Sequence, residues 1–282
     1  MSGPCFTRLT ASIGAEVTGI DLRCGVSDGL AEVLRRALAE HQVLFFRDQP
    51  LEPEEQLQFA ECFGPVMMPL IDTASTRVPG VTVLDQTAPK GQYTDRWHAD
   101  STNLPEPPLG AVLLAVQIPG LGGDTCFASM PAAFEALSPS LQQWLEELTA
   151  EHSTEIVDAA LGALPNVVRR DVDRPVSHHP VVRAHPVTGR KALFVNSNFT
   201  TRIDGVTRAE SEAILGLLFR HINSLEFHVR WRWAPASIAV WDNRATQHCA
   251  IADYQERRVM HRCLIAGDRP FGANGLERGE RR

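Results

Sequence analysis

Apolar residues recur along this chain with two different spacings, and each spacing predicts a different element. Three- and four-residue spacing marks helices. One follows Ser27-Asp28, with Leu30, Val33, Leu34 and Leu38 on one face and Ser27 at the capping position. A second starts near Pro53 and ends at Gly64, with Leu57, Phe59, Ala60 and Phe63 as its apolar side and a glycine as its stop. A third opens on the capping box Thr207-Arg208-Ala209-Glu210 and continues through Ile214, Leu217, Leu218, His221 and Ile222. A fourth is predicted over Ser140 to Glu151. Alternating spacing marks strands. Phe227, Val229, Trp231 and Trp233 point one way, and His228, Arg230 and Arg232 the other. Further strands are predicted at Val43–Phe46, Val81–Leu84, Ala111–Val116, Ala192–Asn196, Ser237–Trp241 and Val259–Ala266. Strands dominate both halves, without the regular strand–helix alternation of a doubly wound parallel sheet. The pattern predicts a mainly β fold with flanking α-helices, as a sandwich or jelly roll.

Composition narrows the function classes. The 282 residues carry 34 acidic and 27 basic side chains, a net charge of −7 that disfavours nucleic acid as a partner. No apolar run approaches the roughly 18 residues of a membrane span, so no membrane partner is expected. The segment Met1-Ser2-Gly3-Pro4-Cys5 lacks the basic and apolar regions of a signal peptide. Cysteines at 5, 24, 62, 126, 249 and 263 form no C-x-x-C pair and read as reduced thiols of a cytoplasmic protein. No repeat or linker divides the chain.

Chemistry concentrates in four blocks. In Trp97-His98-Ala99-Asp100, His98 and Asp100 would face the same side of a strand and offer a metal an imidazole and a carboxylate. In Trp241-Asp242-Asn243-Arg244-Ala245-Thr246-Gln247-His248, His248 lies just past a strand and supplies a second imidazole. Two histidines and one carboxylate are the parts of a facial triad with open positions on non-haem Fe(II). Zinc accepts the same ligand types, so ligand identity alone does not choose the metal. In Arg257-Arg258-Val259-Met260-His261-Arg262, the residues Arg258, Met260, Arg262 and Leu264 share a strand face. Apolar neighbours on that face point it inward, where guanidinium groups need anions. His261 then points the opposite way, as a structural residue. Gly122-Gly123-Asp124-Thr125 predicts a tight turn followed by a hydroxyl.

Together these blocks resemble the taurine and 2-oxoglutarate-dependent dioxygenases. The resemblance also takes in Gly14-Ala15-Glu16-Val17, Gly19-Ile20-Asp21-Leu22, Val43-Leu44-Phe45-Phe46-Arg47, His179-Pro180-Val181-Val182, Phe194-Val195-Asn196 and Phe199-Thr200-Thr201-Arg202-Ile203. It covers nearly the whole chain and implies one domain over 1–282 with a double-stranded β-helix (jelly-roll) core. It implies Fe(II) on His98, Asp100 and His248, with 2-oxoglutarate and O2 as co-substrates. Arg258 matches the arginine that pairs with the distal carboxylate of 2-oxoglutarate, and Thr125 the hydroxyl that assists it. Arg262 matches an arginine near the substrate's acidic group and the other end of the co-substrate. Phe199 and Trp241 match aromatic positions near the iron. The implied activity is hydroxylation of a small anionic organic substrate with release of succinate and CO2, by a homo-oligomer of two or four copies.

The substrate side departs from the taurine enzyme. Counting back from His98, Pro69 stands where that enzyme carries a sulfonate-binding histidine, Asp72 where it has a tyrosine and Thr94 where it has an asparagine. Met67 and Met68 beside Pro69 are apolar and flexible. Residues 155–177 are shorter than in that enzyme and are read as a lid or pocket wall. These departures predict a sulfonate, alkyl sulfate or carboxylate other than taurine. Two other classes stay open: a catalytically inactive jelly-roll binding or sensory protein, and a zinc hydrolase with the same ligands.

Overall fold

The computed structural model describes residues 3–68, 77–87, 93–162 and 174–272. Its first part holds β1 (Cys5–Arg8), β2 (Ala15–Thr18), α1 (Asp28–His41), β3 (Val43–Phe46), α2 (Pro53–Glu61) and β4 (Val66–Met67). Then follow β5 (Thr82–Thr87), β6 (Gly110–Gln117), β7 (Thr125–Ser129), α3 (Met130–Glu135), α4 (Pro139–Leu145), β8 (Thr149–His152) and α5 (Glu155–Gly162). The last part holds β9 (Ser177–Pro180), β10 (Val182–Ala184), β11 (Lys191–Leu193), β12 (Thr200–Ile203), α6 (Arg208–Ile222), β13 (His228–Trp231), β14 (Ile238–Asp242), β15 (Thr246–Ala250) and β16 (Arg257–Ile265).

The large sheet runs β1-β2-β3-β14-β6-β16-β4, with β5 also paired to β16. Its neighbours are antiparallel except β2 and β3. Strand alternation sends its side chains to two faces. Leu44, Phe46, Val112, Ile238, Cys263 and Ile265 pack beneath Leu34 and Leu38 of α1 and Phe59 and Ala60 of α2. On the other face, Phe45, Leu113, Ala239, Trp241 and Met260 pack against Phe127, Val229 and Trp231. Those last three belong to the second sheet, β13-β7-β15. The two sheets with this apolar interior are the two leaves of a jelly roll. A third apolar cluster joins α3 and α6 to β10 and β11, with Phe134, Val182, Leu193, Leu215 and Leu218 at its centre.

The helices follow local chemistry. Ser27 Oγ accepts from the Leu30 amide at 3.3 Å and starts α1, which ends where Gln42 turns left-handed at φ 68°. The buried stripe of α1 is Ala31, Leu34, Ala37 and Leu38, whereas Val33 is 43% exposed. Small alanines thus do the packing expected of Val33. Leu217 of α6 is likewise on the outer face. The helix expected over 140–151 stops at Leu145, and Thr149–His152 is strand β8. There Ala150 and His152 are buried and Thr149 and Glu151 half-exposed, a period-two pattern that pairs with β9 and β12. Within the expected lid, α5 is described and residues 163–173 lie outside the described residues, as do Pro69 and Asp72. Among the described residues, no helix is long and apolar enough to cross a membrane.

Candidate metal centre

His98 and Asp100 do not share a regular strand. His98 instead makes an isolated antiparallel bridge with His248, which lies within β15 rather than just past a strand. The His98 amide donates to the His248 carbonyl at 3.0 Å, and the His248 amide returns a bond of 2.8 Å. Main-chain bonds therefore seat the two imidazoles side by side, with ring centroids 4.1 Å apart. Asp100 follows at a turn, and its Oδ2 lies 3.9 Å from His248 Nε2. Donor atoms of His98, Asp100 and His248 all lie within 4.8 Å of one another, and all three residues are buried.

The donors are prepared for a cation. His98 Nδ1 donates to the Arg96 carbonyl at 2.7 Å, which leaves Nε2 free for a metal. Burial lowers the pKa of His98, and burial together with His98 lowers that of His248 to about 3. Both rings therefore stay neutral and keep a lone pair near pH 7. Burial pushes the Asp100 carboxyl up, but Arg262 and the imidazoles outweigh it and leave its pKa lowered. Arg262 Nη1 donates to Asp100 Oδ1 at 3.3 Å. The buried Asp100 Oδ2 has no hydrogen-bond partner among the described residues. A neutral pair of imidazoles facing a carboxylate oxygen that lacks a donor fits a divalent transition metal.

Two arginines flank this group along β16. Arg262 is tied to Asp100, as above. Arg258 is 4% exposed and forms no ion pair among the described residues; its Nε donates to the Gly123 carbonyl at 3.1 Å, beside Tyr254. Gly123 is left-handed (φ 74°), and a Cβ there would stand 3.3 Å from Arg258 Cδ. Thr125 begins β7 two residues on, and its Oγ1 accepts from Trp233 Nε1 at 3.0 Å. The turn and the arginine predicted to serve one anion therefore meet in space.

Trp241 is buried with its ring 4.7 Å from that of His248, and Phe127 stacks on His248 at 6.2 Å. Phe199 is buried before β12 and makes none of the ring contacts of His248. Thr94 is half-buried in the turn Tyr93–Asp95, whose Asp95 carbonyl accepts from Cys249 Sγ. Met68 is 63% exposed beyond β4. His261 sits on the opposite face of β16, where its carbonyl accepts from Gln56. Sequence reasoning passed over Tyr254 and Asn243. Tyr254 lies four residues before Arg258, a spacing that carries no signal in a loop. Asn243 was visible only as part of the Trp241–His248 block.

The profile described as "Taurine catabolism dioxygenase TauD, TfdA family" matches residues 6–264. The chain is similar to an alpha-ketoglutarate-dependent sulfate ester dioxygenase of Pseudomonas putida, with 36% identity over 93% of this chain and 89% of the relative. It is also similar to an alkylsulfatase of Acinetobacter baylyi, with 36% identity over 96% of this chain and 87% of the relative. Among solved structures, a taurine dioxygenase from Burkholderia xenovorans superposes with a TM-score of 0.84 and 34% identity, covering 98% of this chain and 93% of that one.

Proposed function

Because the chain belongs to the taurine catabolism dioxygenase TauD, TfdA family, we propose that it is an Fe(II)- and 2-oxoglutarate-dependent dioxygenase acting on a small organic acid other than taurine. The observation that carries this reading is the buried His98–Asp100–His248 group, with Asp100 Oδ2 free of any hydrogen-bond donor among the described residues. These three side chains would hold the iron. When bound, iron with 2-oxoglutarate and O2 supplies the oxidative decarboxylation that yields succinate and CO2 and the hydroxylation of a substrate C–H bond.

The chain's own residues supply placement. Arg258, a buried cation without an acid partner among the described residues, receives the distal carboxylate of 2-oxoglutarate, and the Thr125 hydroxyl assists. Arg262 orients the acidic group of the substrate while holding Asp100 ionised. Trp241 and Phe127 keep water from one side of His248. From the resemblance, Met68 and Thr94 are assigned to the substrate side, together with Pro69 and Asp72, which lie outside the described residues. The chain's similarity to a sulfate ester dioxygenase and an alkylsulfatase favours an alkyl sulfate over other acids. Hydroxylation at the carbon that bears the ester oxygen gives an adduct that expels sulfate and leaves a carbonyl.

Two experiments test this. Anaerobic Fe(II) plus 2-oxoglutarate should give the weak visible charge-transfer band of the chelate, and His248→Ala should abolish it. No band in the wild type would return the reading to a zinc hydrolase or an inactive binder. A screen of alkyl sulfates, sulfonates and carboxylates should give succinate in step with substrate loss; taurine as the best substrate would overturn the reading of Pro69 and Asp72. We place the chain in the cytoplasm, where its six free thiols stay reduced, as one domain that assembles into a dimer or tetramer. Light scattering after size exclusion tests the assembly.

A further inference from the structure

The main-chain bridge between His98 and His248 fixes two of the three donors. Asp100 lies outside that bridge; Arg262 donates to its carboxylate, while the Asn243 side chain holds its main chain. Asn243 Oδ1 accepts from the Asp100 amide at 2.8 Å. Asn243 Nδ2 donates to the Asp100 carbonyl at 3.0 Å and to the Pro108 carbonyl at 3.1 Å. All of these atoms are buried, and the two carbonyl partners fix which end of the amide is NH2. Pinning the N–H and the C=O of one residue restricts its φ and ψ together, and so aims its Cα–Cβ bond. Asn243 is itself anchored. It sits in the tight turn Asp242–Ala245 between β14 and β15, closed by the bond from the Ala245 amide to the Asp242 carbonyl. The Asp242 carboxylate takes Arg244 Nε and Nη2 at 2.9 and 2.7 Å and His185 Nε2 at 2.9 Å. His248 follows three residues after this turn.

We propose that Asn243 is the positioning residue of the metal centre: its amide fastens the Asp100 segment to the turn that leads into the His248 strand, and so sets the carboxylate as third donor. This rests on the metal-centre reading given above. Asn243→Asp keeps the volume and the acceptor but turns an oxygen toward two carbonyls. Asn243→Ala removes all three bonds. The two imidazoles remain bridged by main chain in both variants, so metal binding weakens rather than vanishes.

The test is anaerobic titration with Co(II), followed by its visible d–d spectrum, with far-UV circular dichroism on the same samples. The expected result is a Kd for Co(II) raised 10- to 100-fold in both Asn243 variants, with an altered Co(II) spectrum and an unchanged circular dichroism spectrum. Thr207→Ala, a remote loss of a helix cap, should lower Tm and leave Co(II) affinity unchanged, which separates positioning from stability. Should neither Asn243 variant fold, Asn243→Ser gives the same comparison with one hydroxyl in place of the amide. Folded Asn243→Asp or Asn243→Ser with wild-type spectrum and a Kd within threefold of wild type would overturn the proposal alone. Wild-type protein that binds neither Co(II) nor Fe(II) would overturn the functional reading and this proposal with it.

Discussion

Arg258 is a cation withdrawn from water and given, among the described residues, a carbonyl and a phenol for company rather than a paired carboxylate. A protein that buries a guanidinium this way forfeits stability unless an anion arrives. Replacing it by glutamine should raise the half-saturating concentration of 2-oxoglutarate, measured by succinate release, about 10- to 100-fold, in line with ~1.5–3 kcal/mol for hydrogen bonds to a charged group. Gly123→Ala tests the same contact from the other side. A left-handed φ of 74° and a Cβ at 3.3 Å from Arg258 Cδ should cost about 1–2 kcal/mol in urea unfolding and weaken 2-oxoglutarate binding in parallel. Arg258 and Arg262 of β16 were legible in the sequence, because Met260 and Leu264 between and beyond them betray an inward face. Asn243 was not. Its three bonds span 143 and 135 residues, and nothing local to a turn announces a partner so far away.

At the level of elements, strands β8 and β9 put two buried histidines under the segment that follows Asp100. His179 Nε2 donates to the Leu104 carbonyl at 3.0 Å, and His152 Nδ1 meets Thr102 Oγ1 at 2.9 Å. Burial lowers the pKa of His179 to about 4, and burial with neighbouring His179 holds that of His152 well down. An unfolded histidine titrates near 6.5. Between about 4 and 6.5 the unfolded chain therefore binds a proton that the folded chain refuses, so stability is intact above this window and is lost as pH falls through it. The slope for one such group is at most about 1.4 kcal/mol per pH unit. The Tm of the metal-free protein should fall between pH 7 and pH 5, and His179→Gln should flatten that fall; an equally steep profile in the variant would refute the assignment. Helix α6 offers a local contrast. Its capping box closes as expected, with Glu210 Oε2 accepting from the Thr207 amide at 2.8 Å, and Thr207→Ala should cost ~1 kcal/mol in denaturant unfolding. Such a cap is legible because its partners lie three residues apart. The end of α4 was not, since pairing with β9 and β12 across the fold draws Thr149–His152 into a sheet. The shared strand expected of His98 and Asp100 failed for the same reason: β15, far along the chain, decides where His98 stands.

Across the whole molecule, two leaves close on the metal group, and the central pairing of β6 with β14 allows them to do so. Gly110 sits against the Trp241 carbonyl so closely that any Cβ would overlap it. Gly110→Ala should force these strands apart and cost more than about 4 kcal/mol, read as loss of soluble folded protein. The net charge of −7 belongs to the exterior, while the interior collects Arg258, the partly buried Arg262 and the His98–Asp100–His248 group. Arg258 and Arg262 stand four residues apart on one unbroken strand, about 13 Å at the usual rise. That interval works as a gauge. Under the proposed roles, one ligand anchored at each end would have to fit between them within reach of the His98–Asp100–His248 group, whatever the loops around the site do. Adding a single residue inside the interval would swing one guanidinium to the face where Cys263 and Ile265 pack under α2. New substrates can thus be accommodated by rebuilding the rim, but the distance between the two charges is quantised by the strand and admits no gradual change.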